Sequence, residues 1–459
     1  MTPTATPLTL PRKLGYSIGN FGLNIYWQSI TYFLLFFYTD IVGLSAATAG
    51  AIYMAASIFD AVIDPIAGAL MDRTRTRWGR YRPWIAVGAA PLALSFMLLY
   101  LSPDLEGKVL VVAVTASHLL FRVCYTTVAV PFSSLTARLS HDQAVRTQLT
   151  ALNVLFASAA GPVVALCTQP LVEMAGGASN NGFFWTAVLG GIVATATFIL
   201  VAAVTREPDD EAADLQRDHL PKSLGSFVSI ARNRAFMLLI GGLLFATLNT
   251  TVISKSMIYY FKYVVGNEAE SRAALTFATS AAFILVPAWA WVARRLGKRL
   301  LWICATLASL SGVAFMALAQ PTASISATAA FAVMQTGTVG IAVAYWSMLP
   351  DTVEYGEWTT GIRHESFLFG VFMFVQKIGL GLAAGLFGFL LSMVGYDPQS
   401  ASGGGLGTAL PTMIALLCGV SLAGSGLCAF LSPLRQGAHE RITAELAERK
   451  NNPALQGGG

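Results

Sequence analysis

Charged residues are scarce in this sequence, and their scarcity excludes a soluble globular protein. Only 12% of the 459 residues are charged, whereas 55% are hydrophobic. Soluble domains carry about 25% charged residues, and a soluble chain of this length has no interior large enough for so much apolar surface. The composition therefore predicts a protein whose surroundings are the lipid bilayer.

Cysteine is also sparse, which argues against a disulfide framework or a metal centre. The sequence has no CxxC motif and no Cys/His cluster, and its cysteines all lie in apolar runs: Cys124, Cys167, Cys304, Cys418 and Cys428. We expect free thiols packed as small apolar groups. His118 is the one histidine in a predicted span, and it has no HxxE or HxxH neighbour. We therefore expect neither an enzyme nor a resident cofactor.

Apolar runs long enough to cross a bilayer recur along the whole chain, and they predict an all-α membrane protein. The runs lack the two-residue alternation of spanning strands, and helices satisfy their own backbone hydrogen bonds in lipid. We predict about twelve spans, near residues 15–40, 46–70, 84–102, 108–131, 148–170, 182–204, 236–261, 272–292, 300–319, 324–348, 366–393 and 408–431.

Basic residues lie mostly in the loops that follow even-numbered spans, which predicts the orientation in the membrane. The loop after the second span alone carries Arg73, Arg75, Arg77, Arg80 and Arg82. The net charge of +5 therefore reflects topology and predicts no nucleic-acid partner. We expect a multi-pass protein of the cell inner membrane, monomeric among its lipids, with both termini in the cytoplasm.

The longest polar stretch divides the chain into two halves that resemble each other. The basic segments MDRTRTRWGRYRPW and VARRLGKRLLW follow the second and eighth spans, at equivalent places. This repeat predicts a major-facilitator fold, in which two pseudo-repeated six-helix bundles rock about a site near the midplane. The predicted segments are an N-terminal bundle at 1–204, a central cytoplasmic loop at 205–232, a C-terminal bundle at 233–432 and a cytoplasmic tail at 433–459.

Two acidic residues lie one helical turn apart in the second span. Asp60 and Asp64 have i, i+4 spacing, so both carboxylates leave one face of the helix. Two such groups in a low dielectric cannot both stay ionised without a partner. The spacing predicts a coupling site that holds a proton or a cation such as Na⁺. The alternative is permanent pairing of both acids with Arg122 and Lys377.

Three more ionisable residues lie inside predicted spans, where each needs a reason. Arg122 has two open interpretations: it binds an anionic group of a substrate, or it neutralises Asp60 or Asp64. Thr126 shares a helix face with Arg122 and offers a hydroxyl to a cation. Lys377 is predicted beside the acids of the second span, whereas Lys255 is predicted to extend toward the membrane interface.

Aromatic and amide side chains inside the spans predict a sugar-binding cavity, because sugar C–H faces stack on rings and hydroxyls take hydrogen bonds. The predicted substrate-binding residues are Asn24, Tyr26, Gln28, Arg122, Tyr125, Trp346 and Lys377. Charged residues at helix ends predict a cytoplasmic gate of ion pairs between the loop after the second span and neighbouring helix ends. The predicted gate residues are Asp72, Arg73, Arg80, Arg82, Asp142, Glu354 and Arg363.

Three segments, SIFDAVIDPIAGALMDRTRTRWGRYRPW, CYTTVAVPFSSL and MLPDTVEYGEWTTGIRHES, resemble the glycoside–pentoside–hexuronide:cation symporters, typified by melibiose permease. The resemblance covers nearly the whole chain, and the second half is more similar to the glucuronide-permease branch. It implies a major-facilitator transporter that takes up a sugar together with H⁺, Na⁺ or Li⁺. It also implies that Asp60, Asp64 and Thr126 bind the cation, with Lys377 beside them.

The departures from melibiose permease narrow these implications. Ile63 matches the cation-site asparagine, so one oxygen ligand is missing and H⁺ is favoured over Na⁺. Asn24, Ala129 and Val154 match the polar residues that bind the galactoside, so a pocket of that design is not implied. We expect cation-coupled symport of a glycoside, pentoside or hexuronide. The alternatives are a carrier of lysolipids or other amphiphiles and, with less support, a membrane enzyme or a sensor.

Overall fold

The structure is a computed structural model. It describes residues 9–139, 143–177, 181–205, 207, 232–361, 365–396, 406–435 and 437–451. Throughout these ranges the regular structure is helical, and the one bridge of β type, between Thr76 and Gly79, lies in a turn. The all-α prediction is confirmed.

The first span is a helix that changes its winding. It begins as α1 (Leu10–Ser29) and continues through two π-helical segments, Ile30–Leu34 and Phe37–Ile41. The helical stretch is unbroken from residue 10 to residue 41. Such π segments inside helices are frequent at functional sites, and this pair leads directly to the buried carboxylate of Asp40.

Packing divides the chain into two compact units, and the first contains the candidate site. It comprises Met1–Leu215, Ser254–Ser280 and Ala384–Gly407. Its complete helices after α1 are α2 (Ala46–Asp72), α3 (Arg82–Leu99), α4 (Gly107–Arg138), α5 (Gln143–Met174), α6 (Gly182–Val204) and α8 (Ala269–Ser280). Within this unit α2 packs on α4, and α1 packs on α5 and α6.

Small residues set the close approach of these helices, as is usual in membranes. A Cβ added to Gly22 of α1 would lie 3.4 Å from the Cα of Ala194 and 2.2 Å from the hydroxyl of Thr197, both on α6. A larger residue at position 22 would therefore push α1 away from α6.

The second unit comprises Gln216–Ile253, Ala281–Ala383 and Thr408–Gly459. It contains most of α7 (Arg234–Tyr260, followed by a π segment at Phe261–Val265) and α12 (Glu365–Met393), which both run into the first unit. The others are α9 (Ala282–Leu296), α10 (Lys298–Ala319), α11 (Ser324–Thr360), α13 (Leu406–Leu431) and α14 (Ala438–Asn451). The sequential domain boundaries stay a prediction.

The number of spans agrees with the sequence. In the described ranges, eleven helices are long and apolar enough to cross a membrane, with α8 and α9 counted as one. The helical stretch of residues 10–41 is long enough to cross a membrane but is less apolar than these eleven, because it contains asparagines and a glutamine. All five cysteines are free thiols, as expected, although Cys167 is exposed on its helix.

One predicted boundary is wrong. The tenth span was expected to end near residue 348, but α11 continues to Thr360 and so includes the segment SMLPDTVEYGEWTT. Its amphipathic end packs on α14, where the Trp358 indole donates a 2.7 Å hydrogen bond to Glu445. Hydropathy located the apolar part of the helix and could not register a helical end that is covered by the tail.

Candidate functional site

The two acids of α2 meet one hydroxyl of α4. The Thr126 hydroxyl lies 3.1 Å from Asp60 Oδ1 and 2.8 Å from Asp64 Oδ1. Asp60 is 1% exposed and Thr126 is 1% exposed, whereas Asp64 is half-buried. The structure therefore brings together the three residues that were predicted to bind a cation. We call these residues, with Arg122, the Asp60 site.

The proton count at Thr126 limits the charge that this arrangement can carry. A threonine hydroxyl has one hydrogen to donate and lone pairs to accept with. It can donate fully to one carboxylate, and its contact with the other is favourable when that carboxylate holds a proton and donates back. A cation near both oxygens has the same effect. The geometry therefore suits two acids that share one bound proton or one metal cation.

Arg122 adds a positive charge on the side of Asp60. Its Nη1 lies 3.6 Å from Asp60 Oδ2, and both side chains are almost completely buried. The guanidinium also lies over two rings, 5.8 Å from the Trp27 centroid and 5.7 Å from the Tyr53 centroid. Pairing with Asp60 is thus seen directly. Both interpretations of Arg122 stay open, because a guanidinium can serve a carboxylate and a substrate in turn.

Pro65 removes one backbone hydrogen bond from α2 close to the acids in sequence. It lies inside α2, directly after Asp64, and proline has no N–H to donate to the carbonyl four residues earlier. That carbonyl belongs to Ala61, next to Asp60. Sequence analysis did not assign it, although the D-P pair in the sequence is the signal that could have found it.

Lys255 does not extend toward the interface, so that prediction is wrong. It is 2% exposed, its Nζ lies 3.8 Å from the centroid of the Tyr53 ring, and it lies 3.5 Å from the carbonyl oxygen of Thr31. The segment of α7 that carries it belongs to the first unit. Packing of α7 there removes the path to the interface that snorkelling requires.

The remaining predicted substrate residues occupy several environments. Asn24 is half-buried and donates to Asn20, and Gln28 is half-buried on the same helix. Tyr26 is completely buried and packs on Phe96. Its neighbour Trp27 is the ring beside Arg122, with Tyr125 at 6.1 Å. This packing favours Trp27 over Tyr26 as a substrate contact.

Trp346 and Lys377 belong to the second unit. Trp346 is 41% exposed and lies against Phe372, and Lys377 is half-buried. A position of Lys377 beside the acids of α2 stays a prediction.

The predicted gate is described only in part. Asp142, Arg363 and the side chain of Asp72 lie outside the described residues. Around the start of α3, the Glu207 carboxylate accepts 2.8 Å hydrogen bonds from the backbone N–H groups of Arg80, Tyr81 and Arg82. The Arg82 guanidinium donates to the Ala202 carbonyl. Glu207 thus fixes the loop to α6, and pairing of Arg73, Arg80 and Arg82 with the predicted acids stays a prediction.

Sequence analysis missed a second buried carboxylate, at the end of the first span. Asp40 accepts hydrogen bonds from Thr39, Tyr263 and Tyr396, and forms a 2.6 Å ion pair with Lys262. Its side chain is completely buried. We call these residues the Asp40 cluster. Asp40 did not stand out in the sequence, because it is an acid at a predicted helix end, where a charge needs no special explanation.

The chain is similar over most of its length to known transport proteins. A family model described as MFS/sugar transport protein matches residues 15–436. The isoprimeverose transporter of Lactiplantibacillus pentosus is 28% identical over 397 residues, which is 85% of this chain and 81% of the relative. The glucuronide carrier protein homolog of Escherichia coli (strain K12) is 28% identical over 447 residues, 95% of each chain.

A solved structure has the same fold. It is the bacterial homolog of the human lysosomal transporter Spinster in an inward-facing, unoccupied conformation. The TM-score is 0.66 with 13% identity, and the match covers 96% of this chain and 98% of the other.

Proposed function

Because this chain belongs to the MFS/sugar transport protein family, we propose that it is a cation-coupled symporter of a glycoside, pentoside or hexuronide. The observation that carries the proposal is the single Thr126 hydroxyl at hydrogen-bond distance from both Asp60 and Asp64. A coupling site must hold charge when empty and lose it when loaded. Two neighbouring acids that both contact the Thr126 hydroxyl have this property.

In this mechanism, cation binding neutralises a buried charge that opposes rearrangement of the helices. With both acids ionised, the low dielectric around α2 and α4 penalises the closed states that alternating access must pass through. One bound cation removes most of that penalty, and the sugar supplies the remaining free energy through contacts that form when the cavity closes. Transport of either ligand alone is therefore slow, which is the requirement for symport.

The coupling ion is H⁺ in our proposal. A proton needs one carboxylate oxygen, whereas Na⁺ must replace its water shell with several oxygens. Asp60, Asp64 and Thr126 supply a small oxygen set, and Ile63 adds none. Na⁺ would need ligands beyond this set.

The substrate in this proposal lies against the Trp27 ring, close to Arg122. Relatives are named for isoprimeverose, an uncharged sugar, and for glucuronide, which carries a carboxylate, so family membership alone leaves the charge of the substrate open. The amphiphile-carrier alternative is not favoured. We further propose an inner-membrane monomer with cytoplasmic termini, and the cytoplasmic gate described above.

The proposal is tested with purified protein in liposomes. Uptake of a panel of radiolabelled glycosides, pentosides and hexuronides is measured under an inward proton gradient, an inward Na⁺ gradient, or neither. We expect accumulation of at least one sugar that requires the proton gradient and collapses with a protonophore. Uptake that never exceeds equilibrium under either gradient would contradict symport, and a strict Na⁺ requirement would contradict the choice of H⁺.

A further inference from the structure

Three buried nitrogen-bearing side chains surround the ring of Tyr53. The Lys255 ammonium lies 3.8 Å from the ring centroid, the Arg122 guanidinium 5.7 Å, and the centroid of the His118 ring 5.4 Å. Each of the three is at most 2% exposed, and Tyr53 is 6% exposed. They come from α2, α4 and α7 and all belong to the first unit. We call them the Tyr53 cluster.

Several nitrogen atoms of the Tyr53 cluster have few hydrogen-bond partners among the described residues. Lys255 has an aromatic face and one carbonyl oxygen at 3.5 Å as its contacts. Among the residues that the structure describes, no carboxylate oxygen lies within the 4.0 Å ion-pair distance of its ammonium. Over the same ranges, Arg122 Nε and His118 Nε2 have no hydrogen-bond partner.

Burial of the Lys255 ammonium without a carboxylate partner is costly, and a second lysine of the chain gives a direct contrast. A buried ammonium is normally paired with a carboxylate. Lys262, two turns after Lys255, follows this rule: it pairs with Asp40 at 2.6 Å and is about a third exposed. Lys255 is more deeply buried and has a ring where Lys262 has an acid. The position therefore suits a lysine whose anion is supplied from outside the chain.

The chemistry of the donors defines the ligand. Guanidinium and ammonium groups together bind oxyanions such as carboxylate and sulfonate through charge-assisted hydrogen bonds. The Trp27 ring, 5.8 Å from the Arg122 guanidinium, gives the C–H face of a sugar a surface to stack on. An oxyanion attached to a sugar ring satisfies both elements.

We propose that Lys255 and Arg122 form an oxyanion subsite around the Tyr53 ring, and that the transported sugar carries a carboxylate or sulfonate group. This inference rests on the sugar-symport function proposed above and narrows its substrate class. Lys255 is the specificity-determining residue, because Arg122 also pairs with Asp60. Arg122 joins the two sites: a cation that neutralises Asp60 releases the guanidinium for the oxyanion, so the two ligands favour each other's binding.

The test compares three sugars that differ in one group. Methyl glucoside, methyl glucuronide and methyl sulfoquinovoside of the same anomeric form are titrated into purified full-length protein by calorimetry. We expect the wild type to bind one or both anionic sugars at least about tenfold more tightly than the glucoside, since a charge-assisted contact is worth that much. The two anionic sugars distinguish a carboxylate from a sulfonate ligand.

Variants then assign the preference to Lys255. We expect Lys255→Met to remove the preference for the anionic sugar while leaving glucoside binding within about twofold, and Lys255→Arg to keep part of it. Lys262→Met is the matched control on the same helix, and it should leave the preference unchanged.

Each contrary result has a definite meaning. A wild type that binds the glucoside as well as the anionic sugars overturns the subsite, while the symport proposal stands on its own uptake test. An equal loss for all three sugars in Lys255→Met also overturns it, because a structural role predicts such a loss. If Lys255→Met does not fold, Lys255→Gln and the wild-type preference decide. Failure of all three sugars to bind also overturns the subsite, whereas the symport proposal is decided by the uptake panel described above.

Discussion

The Asp60 site and the Asp40 cluster are two ways of burying acids in the same unit. Asp40 is one carboxylate with a lysine and three hydroxyl donors around it. The Asp60 site has two carboxylates one turn apart, with one threonine hydroxyl between them and an arginine at 3.6 Å. The charge of a lone acid with a matched cation is compensated within the chain, whereas two neighbouring acids in a low dielectric repel each other unless a cation lies between them.

We expect the Asp40 cluster to stabilise the fold and the Asp60 site to couple the cation to transport. The Asp40 cluster links the end of the first helical stretch to residues that follow α7 and α12, 222 and 356 positions away. It is expected to stabilise this end of the first unit throughout the transport cycle, whatever the charge of the Asp60 site. The Asp60 site lies in the middle of α2 and α4 and is expected to change its protonation in each transport cycle. Variants at the two places should therefore fail in different ways.

The largest expected effect is the loss of coupling in Asp64→Asn. The amide cannot take up or release a proton, so the variant should equilibrate sugar without accumulating it. A gradient of about two pH units can drive about hundredfold accumulation per proton, and all of this should disappear. The measurement is uptake into proteoliposomes with the gradient imposed, together with sugar exchange in its absence.

Asp40→Asn is the matched control for this prediction. It removes a buried carboxylate of the same unit, and accumulation should persist because the coupling acids are intact. Undiminished accumulation in Asp64→Asn would contradict the coupling role that we give to the Asp60 site. Complete loss of accumulation in properly inserted Asp40→Asn would contradict the purely structural role that we give to the Asp40 cluster.

The second effect is a loss of thermal stability, which should be larger for variants of the Asp40 cluster than for variants of the Asp60 site. Lys262→Met leaves the Asp40 carboxylate buried without its cation, and removal of one partner of a buried pair costs roughly 3 kcal/mol. We expect a loss of several degrees in the thermal unfolding midpoint in detergent, at about 2–4 °C per kcal/mol.

Asp40→Asn should cost less than Lys262→Met, because the lysine that it leaves behind is about a third exposed and can reach water. The thermal unfolding midpoint of Thr126→Val serves as the comparison for the Asp60 site. An unfolding midpoint in Lys262→Met equal to that of the wild type would show that the Asp40 pair does not hold this end of the unit.

A smaller effect is expected from the hydroxyl that bridges the two acids. Thr126→Val keeps the shape of the side chain and removes a hydrogen bond to a charged group, worth about 1.5–3 kcal/mol. Proton-driven uptake should fall about tenfold. Thr126→Ser keeps the hydroxyl and should retain most of the rate, so equal uptake by the valine and serine variants would remove Thr126 from the coupling site.

The smallest expected effect concerns the choice of cation. Ile63→Asn adds an amide oxygen next to Asp64, in the position where the resemblance to melibiose permease implies a ligand. We expect weak stimulation of uptake by Na⁺, of about twofold, that the wild type lacks. Asp40 variants should show none. Strong Na⁺ stimulation of the wild type itself would contradict the argument from Ile63.

The sequence by itself determined the span number, the all-α fold and the pairing of Asp60 with Asp64. Each depends on local spacing: apolar runs match the bilayer thickness, and residues four apart share a helix face. The family resemblance added Thr126, which α4 carries to the acids of α2.

Tertiary structure decided the partners of the other buried charges, because these partners depend on which distant helices pack together. The lysines of α7 show this most clearly. Lys255 lies near the end of α7 and Lys262 in the π segment that follows it. Lys262 pairs with Asp40, 222 residues earlier in the chain, whereas Lys255 lies over the Tyr53 ring. Hydropathy gives both the same cost in lipid, and only the packing of α7 within the first unit determines that one charge is matched by an acid and the other by an aromatic face.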